Sequence, residues 1–399
     1  MKNKWTLWAV MYFAAVCVSF SQLKFVTFIG ALIGTMNLSN PGNIGYLMSV
    51  FAIAGIILSI PGGFILGKLG PKKLLMCLMV SLLLGNFIGA FAIESFQLML
   101  VSRVLEGVAF AMIIMVGIVL ISGWFAGTKI VGTAIGLFVT FPALAAGIIL
   151  NVSTPISNAL GMQSMWLIVG ALVLLALILV AVVIPNPAPA SDDKGGAPAE
   201  AEKPSLSEAA SNVKIWFMAI CQGCVAFVLF TYIPIYPRLF SDFYGLPPAT
   251  ANFYASLNGW FGIPFCVLAG VIIDKFKNAP LLIFISFICL AAVNFAATLL
   301  GPSTYVLHTL LVAIFTGLTI SAVLVVAPIA AKRPSLIGYS IAIVNTIYYI
   351  GIFAGPITIE PHINSNNWQT GMNILAGVSV LGVAATLAFM MANKKQSAS

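Results

Sequence analysis

Pro185-Asn-Pro-Ala-Pro-Ala-Ser-Asp-Asp-Lys194-Gly-Gly-Ala-Pro-Ala-Glu200-Ala-Glu-Lys203-Pro-Ser-Leu-Ser-Glu208-Ala-Ala-Ser-Asn212 is the one long polar stretch in the chain. Rich in Pro, Ala, Gly and charge, it cannot bury enough apolar surface to fold, so 185–212 reads as a flexible linker. Six apolar windows precede it and six follow, each near the roughly 20 residues a membrane-spanning helix needs. The breaks between windows predict spans α1 to α6 at 5–35, 43–67, 74–93, 96–123, 130–152 and 163–184. They predict α7 to α12 at 213–240, 249–273, 279–300, 303–331, 336–357 and 368–392. The expected fold is all-α: a polytopic membrane protein with a six-helix bundle over 1–184, the linker, and a second bundle over 213–399 that ends in a short tail.

Composition agrees. Of 399 residues, 61% are hydrophobic and 7% are charged, against about 25% charged in ordinary soluble domains. A soluble fold has no place for that much apolar surface, whereas a bilayer replaces the water around it. The first apolar run, from Trp5 to about Thr35, is too long for a signal peptide and lacks a small-residue cleavage site, so it reads as the first span.

With the N-terminus inside, the inner loops and tails collect fifteen of the eighteen Lys and Arg residues, and only Arg238 falls near the outer side. That asymmetry obeys the positive-inside rule and predicts a multi-pass protein of a cell, or inner, membrane with both termini cytoplasmic. It also accounts for the net charge of +8 without nucleic-acid binding. Trp5, Trp8, Trp124, Trp216 and Trp368 stand near predicted helix ends, as interfacial anchors do.

The two halves repeat an element. The inner end of α2 reads Gly63-Phe-Ile-Leu-Gly67-Lys68-Leu-Gly70-Pro71-Lys72-Lys73, and that of α8 reads Gly270-Val-Ile-Ile-Asp274-Lys275-Phe-Lys277. Internal repeats are how transporters frame a central site between two bundles. The loop resembles the signature between the second and third helices of the major facilitator superfamily, although Gly67 stands where an acid is usual. Arg103-Val-Leu-Glu106-Gly107 in α4 resembles the buried Arg, acid and Gly of that family. The resemblance implies alternating access by a secondary transporter, with Gly63, Lys68, Gly70, Lys72, Asp274 and Lys275 in an inner gate. The antiporter signature of the fifth helix is poorly matched by Gly132, Gly136, Pro142 and Gly147.

Ionisable residues inside a span cost about 2.5–3.5 kcal/mol each at the helix centre and point to function. Lys24 lies about 15 Å from the outer end of α1, and Arg103 about 14 Å from the outer loop before α4. Two cations at one depth call for an anion between them. Glu106, three residues after Arg103, is within pairing reach; protonated, it would release the Arg for an anion and couple proton to cargo. The arrangement resembles cation-coupled organic anion carriers of the monocarboxylate type. A structural Arg103–Glu106 ion pair and a snorkelling Lys24 are the plainer alternatives. Gln22, Tyr232, Tyr236, Asn258, Asn345 and Tyr348 complete the expected substrate site, each with helix-to-helix hydrogen bonding as its competing role. Ser21, Thr231, Trp260 and Tyr349 lie nearby, and His308 reads as a packing histidine, with pH sensing as the sharper alternative.

Six cysteines fall inside apolar helices and read as small packing residues; Cys221 and Cys224 lack the second ligand pair a metal site needs. No phosphate-binding loop is present, so transport is expected to draw on a gradient of ion or substrate. The sequence thus predicts a monomeric carrier of a small anion, with H+ as its candidate co-substrate, embedded in lipid, without cofactor or nucleic acid. A multidrug or neutral-solute exporter of the same fold is the alternative; a membrane-embedded enzyme finds no catalytic cluster with only two histidines.

Overall fold

The computed structural model describes residues 3–36, 43–125, 128, 130–185, 205–276, 278–333 and 336–397. These are almost entirely helical. The spans are α1 Lys4–Leu23, α2 Asn43–Leu69, α3 Pro71–Phe91, α4 Phe96–Trp124, α5 Phe141–Leu160 and α6 Gln163–Val183. The second set is α7 Val213–Arg238, α8 Pro248–Phe276, α9 Ala279–Ala296, α10 Pro302–Ile329, α11 Ile337–Asn364 and α12 Trp368–Ser397. Among the described residues, eleven helices are long and apolar enough to cross a membrane, and α2 holds a shorter apolar stretch, Val50–Leu66.

Helix starts follow local chemistry. Asn3, Ser95, Asn212 and Asn278 each accept a hydrogen bond from a backbone N–H of the first turn, which satisfies donors that have no partner within the helix. Gly70 joins α2 to α3 with φ 76° and ψ 159°, a backbone region that is essentially closed to residues with a Cβ. Pro71 then opens α3, where its missing N–H costs nothing.

Three expectations change in detail. The α1 region is not one continuous α-helix: after Leu23 it tightens into a 3₁₀ segment, Lys24–Phe28, before Ile29–Thr35 resumes. The fifth span is broken into Val131–Phe138 and α5, with Thr140 and Pro142 at the junction. The end of the stretch read as a flexible linker is ordered: Leu206–Ala210 is a short helix whose first turn is capped by Ser205. Glu208 on it pairs with Arg333, and the Asn212 side chain donates to the Ala330 carbonyl at 2.8 Å. Those tertiary partners supply what composition alone does not. The rest of that stretch, 186–204, lies outside the described residues.

Buried apolar residues fall into two clusters, one centred on α1 to α6 and one on α7 to α12. They meet where α2 packs on α11 and α5 packs on α8. Small residues let these helices close up. A Cβ added at Gly55 would lie 2.4 Å from the Tyr349 ring, and one at Gly147 would lie 2.6 Å from the Trp260 ring. The Tyr349 hydroxyl donates across the boundary toward the carbonyls of Phe110 and Ala111, at 2.9 and 3.1 Å.

Candidate functional site

The 3₁₀ turn after Leu23 brings Lys24 against α3 and α4. Its ammonium donates to the Ser21 carbonyl at 3.2 Å, to Asn86 Oδ1 at 2.9 Å and to Glu106 Oε1 at 2.6 Å. An ammonium has three donors, so none is left over. One turn before Glu106 on α4, Arg103 donates from Nε to the Leu47 carbonyl and from Nη1 to Ser21 O and Glu106 Oε2, the last at 2.7 Å. Its Nη2 reaches the Gln22 carbonyl at 3.4 Å. Four bonds account for four of five guanidinium N–H groups; the fifth has no partner among the described residues.

Aromatic faces enclose both cations. The Arg103 guanidinium lies 5.0 Å from the Phe25 ring centre and 4.5 Å from that of Phe51, and Lys24 lies 5.3 Å from Trp166. Ring quadrupoles favour a cation most where water is absent, and Lys24 and Glu106 are fully buried. With all three groups ionised, the cluster carries a formal charge of +1.

Between the two bundles lies a cavity of about 100 Å³, bordered by α1, α4, α5, α7, α8, α10 and α11. Its walls are chiefly apolar, from Ile114, Val139, Leu229, Phe230, Ile233 and Leu324. Its polar groups are Gln22, Gln222, Asn258, Thr316, Asn345 and Tyr348. A smaller space of about 30 Å³ adjoins it, and Arg103 borders this one. Gln22, Leu23, Phe230 and Ile233 border both.

Of the residues expected to bind substrate, Gln22, Asn258, Asn345 and Tyr348 line the central cavity, and Arg103 lines its annex. Lys24 borders neither, because its donors are spent within the first bundle. Tyr232 and Tyr236 are also displaced from the expected site: they stack at 4.7 Å inside the second cluster. There the Tyr232 hydroxyl donates to Asn294 Oδ1 at 2.7 Å, and the Tyr236 hydroxyl lies 3.2 Å from His308 Nδ1. His308 is therefore a partner of tyrosines. The 3.6-residue period places α7 residues on a face but does not say which face meets the cavity.

Of the residues expected in an inner gate, Gly63 and Lys68 are exposed on α2, Gly70 makes the turn, and Lys72 donates to the Ala181 carbonyl of α6 at 3.0 Å. Lys275 is exposed and lies 5.5 Å from the Phe276 ring centre. Asp274 is in α8, but its side chain lies outside the described residues.

Two residues with chemical weight went unremarked in the sequence. Asn86 holds Lys24 on one side and gives its amide to Ser21 Oγ at 2.8 Å. Gln222 sits between the two cysteines of α7. An amide in mid-span is itself the signal that marks both.

The two buried networks correspond. Lys24, just beyond α1, meets Asn86 of α3, and Tyr232 of α7 meets Asn294 of α9; in each case the partners are 62 residues apart. The first network is closed by α4 through Glu106, and the second by α10 through His308. Repeat geometry is thus kept, while its chemistry is ionic in one half and neutral in the other.

The family model described as Major Facilitator Superfamily matches residues 11–356. The chain belongs to the Major Facilitator Superfamily. It is accordingly a multi-pass membrane protein and a secondary transporter, with a lipid bilayer around it and a transported substrate. No curated protein matches it. Within this superfamily protein, the cavity between bundles and the ion cluster beside it are where the cargo's chemistry is to be sought.

Proposed function

We propose that this transporter carries a small organic monoanion, most simply a monocarboxylate, and that Arg103 makes the direct ionic contact. One observation carries the reading: a buried cluster with a formal charge of +1 leaves one Arg103 N–H unused, and Arg103 borders the space next to the cavity. A carboxylate there completes both the charge and the hydrogen bond, and charge-assisted bonds of this kind are the strong ones. The apolar wall suits the rest of such a molecule, while the amides of Gln22, Asn258 and Asn345 and the Tyr348 hydroxyl orient it.

Lys24 takes a different part from direct binding: it holds Glu106. Glu106 bridges the two cations at 2.6 and 2.7 Å, and a proton on it removes both ion pairs and raises the cluster's charge by one. The anion then binds more tightly, and by reciprocity the bound anion favours the proton. That links proton and cargo movement. The excess of Lys and Arg on the face that bears both chain ends supports a cytoplasmic position for that face.

Uptake of labelled monocarboxylates into proteoliposomes tests this reading. Arg103→Gln should abolish uptake, and Glu106→Gln should remove the response to an imposed pH gradient while counterflow exchange persists. Saturable transport of neutral or cationic amphiphiles, with none of any anion, would establish the exporter reading instead.

A further inference from the structure

Gln222 is 2% exposed, and its Oε1 has no hydrogen-bond partner among the described residues. Its amide makes no hydrogen bond to any described residue. Buried acceptors in folded proteins are nearly always paired, and one that is not asks for a reason. Its place supplies one. A Cβ at the next residue, Gly223, would lie 2.9 Å from the Ile347 carbonyl, so α7 is pressed onto α11 at this level and Gln222, beside that contact, borders the cavity.

Phe230 and Ile233, on the same helix, border the annex that Arg103 lines. They stand eight and eleven residues beyond Gln222, or about 12–16 Å along the axis at 1.5 Å per residue. Leu229 and the two annex residues make the α7 wall between these levels apolar. Along α7 the wall is therefore apolar between two polar points: the cation of Arg103 in the annex at one end and the unpaired amide oxygen of Gln222 on the cavity at the other.

We propose that the cargo is an elongated monoanion whose far end bears a hydrogen-bond donor, a hydroxyl or an amide N–H, that Gln222 accepts. This rests on the anion reading and adds the second contact. The Arg103 end provides affinity for any carboxylate. The Gln222 end decides which one, because a site with an unpaired polar group rejects the analogue that leaves it so.

The test is thermal stabilisation of the purified protein by two homologous series: unbranched alkanoates, and the same acids with a terminal hydroxyl. A ligand of the folded state raises apparent stability with the logarithm of its affinity. At one chain length the hydroxy acid should bind about tenfold more tightly than its plain counterpart, the size of one buried hydrogen bond. Gln222→Leu should bring the hydroxy acid down to the level of the plain acid and leave the plain acid unchanged. It should also raise the melting temperature of the ligand-free protein, since it replaces an unpaired polar group with an apolar one.

If plain acids bind but the hydroxyl adds nothing at any length, or its advantage survives Gln222→Leu, the inference is wrong and the anion reading stands. A lower melting temperature for ligand-free Gln222→Leu would mark the amide as structural and also overturn it. If neither series binds, the anion reading fails, and the inference goes with it.

Discussion

Replacing Glu106 with Gln removes the one anion shared by two buried cations while keeping volume and shape. Lys24 and Arg103, both essentially inaccessible, are then held against the same Ser21 carbonyl with only dipoles to offset their repulsion. Removing one partner of a buried ion pair costs about 3–5 kcal/mol, because the remaining charge stays desolvated. For a bundle of this size that corresponds to a fall in melting temperature of roughly 6–20 °C. Thermal unfolding of the purified protein, followed by tryptophan fluorescence, reads it directly, since Trp166 lies against Lys24. The double variant Lys24→Met with Glu106→Gln supplies the control. It removes one cation together with the anion, restores the formal charge of +1 on Arg103 alone, and should recover stability by about 0.5–3 kcal/mol over the single variant. A double variant no more stable than Glu106→Gln would show that the charges are not coupled, and the reasoning behind the cluster would fall.

Other perturbations probe other joints of the molecule. Gly55→Ala puts a methyl 2.4 Å from the buried Tyr349 ring; overpacking of this kind costs about 1–3 kcal/mol, and adding Tyr349→Ala should return part of it in thermal unfolding. Gly70→Ala forces a Cβ into a backbone region that costs about 1–3 kcal/mol, so yield and melting temperature should both drop with no change in KM for the transported anion. Asn294→Leu strands Tyr232 and Ser379, its partners at 2.7 and 3.0 Å. Stability should fall by about 1–3 kcal/mol, with anion affinity intact because neither partner borders the cavity. A change in affinity there would show that the second network takes part in binding.

Much of the architecture was legible in the chain because membrane helices obey few rules. Backbone groups must be satisfied within the segment, so apolar length alone marks a span, and eleven of the spans meet that measure among the described residues. The grouping of Lys24, Arg103 and Glu106 was legible for a related reason: charge at mid-depth must find a partner. What each charge is free to do was not. The sequence points to Lys24 as a cargo contact; the bonds to Ser21, Asn86 and Glu106, which take up its three donors, come from the fold. The helical period likewise does not decide which face of α7 meets the cavity: Tyr232 was expected there and Gln222, ten residues away, was not. Packing on α9, α10 and α11 turned the first inward and the second toward the cavity.

The unequal chemistry of the two networks has an electrical consequence. One half keeps a fixed excess positive charge inside the low-dielectric slab; the other half keeps none in its buried network. A unit charge crossing the whole field is worth about 2.3 kcal/mol per 100 mV, so any rocking of the first half while empty does work against the membrane potential. A monoanion seated on the unprotonated cluster cancels that charge, whereas an anion that arrives with a proton on Glu106 leaves it at +1. Voltage should therefore tax the empty and the proton-loaded carrier alike and spare only a carrier loaded with the anion alone. The voltage dependence of uptake then reports whether the proton travels with the cargo.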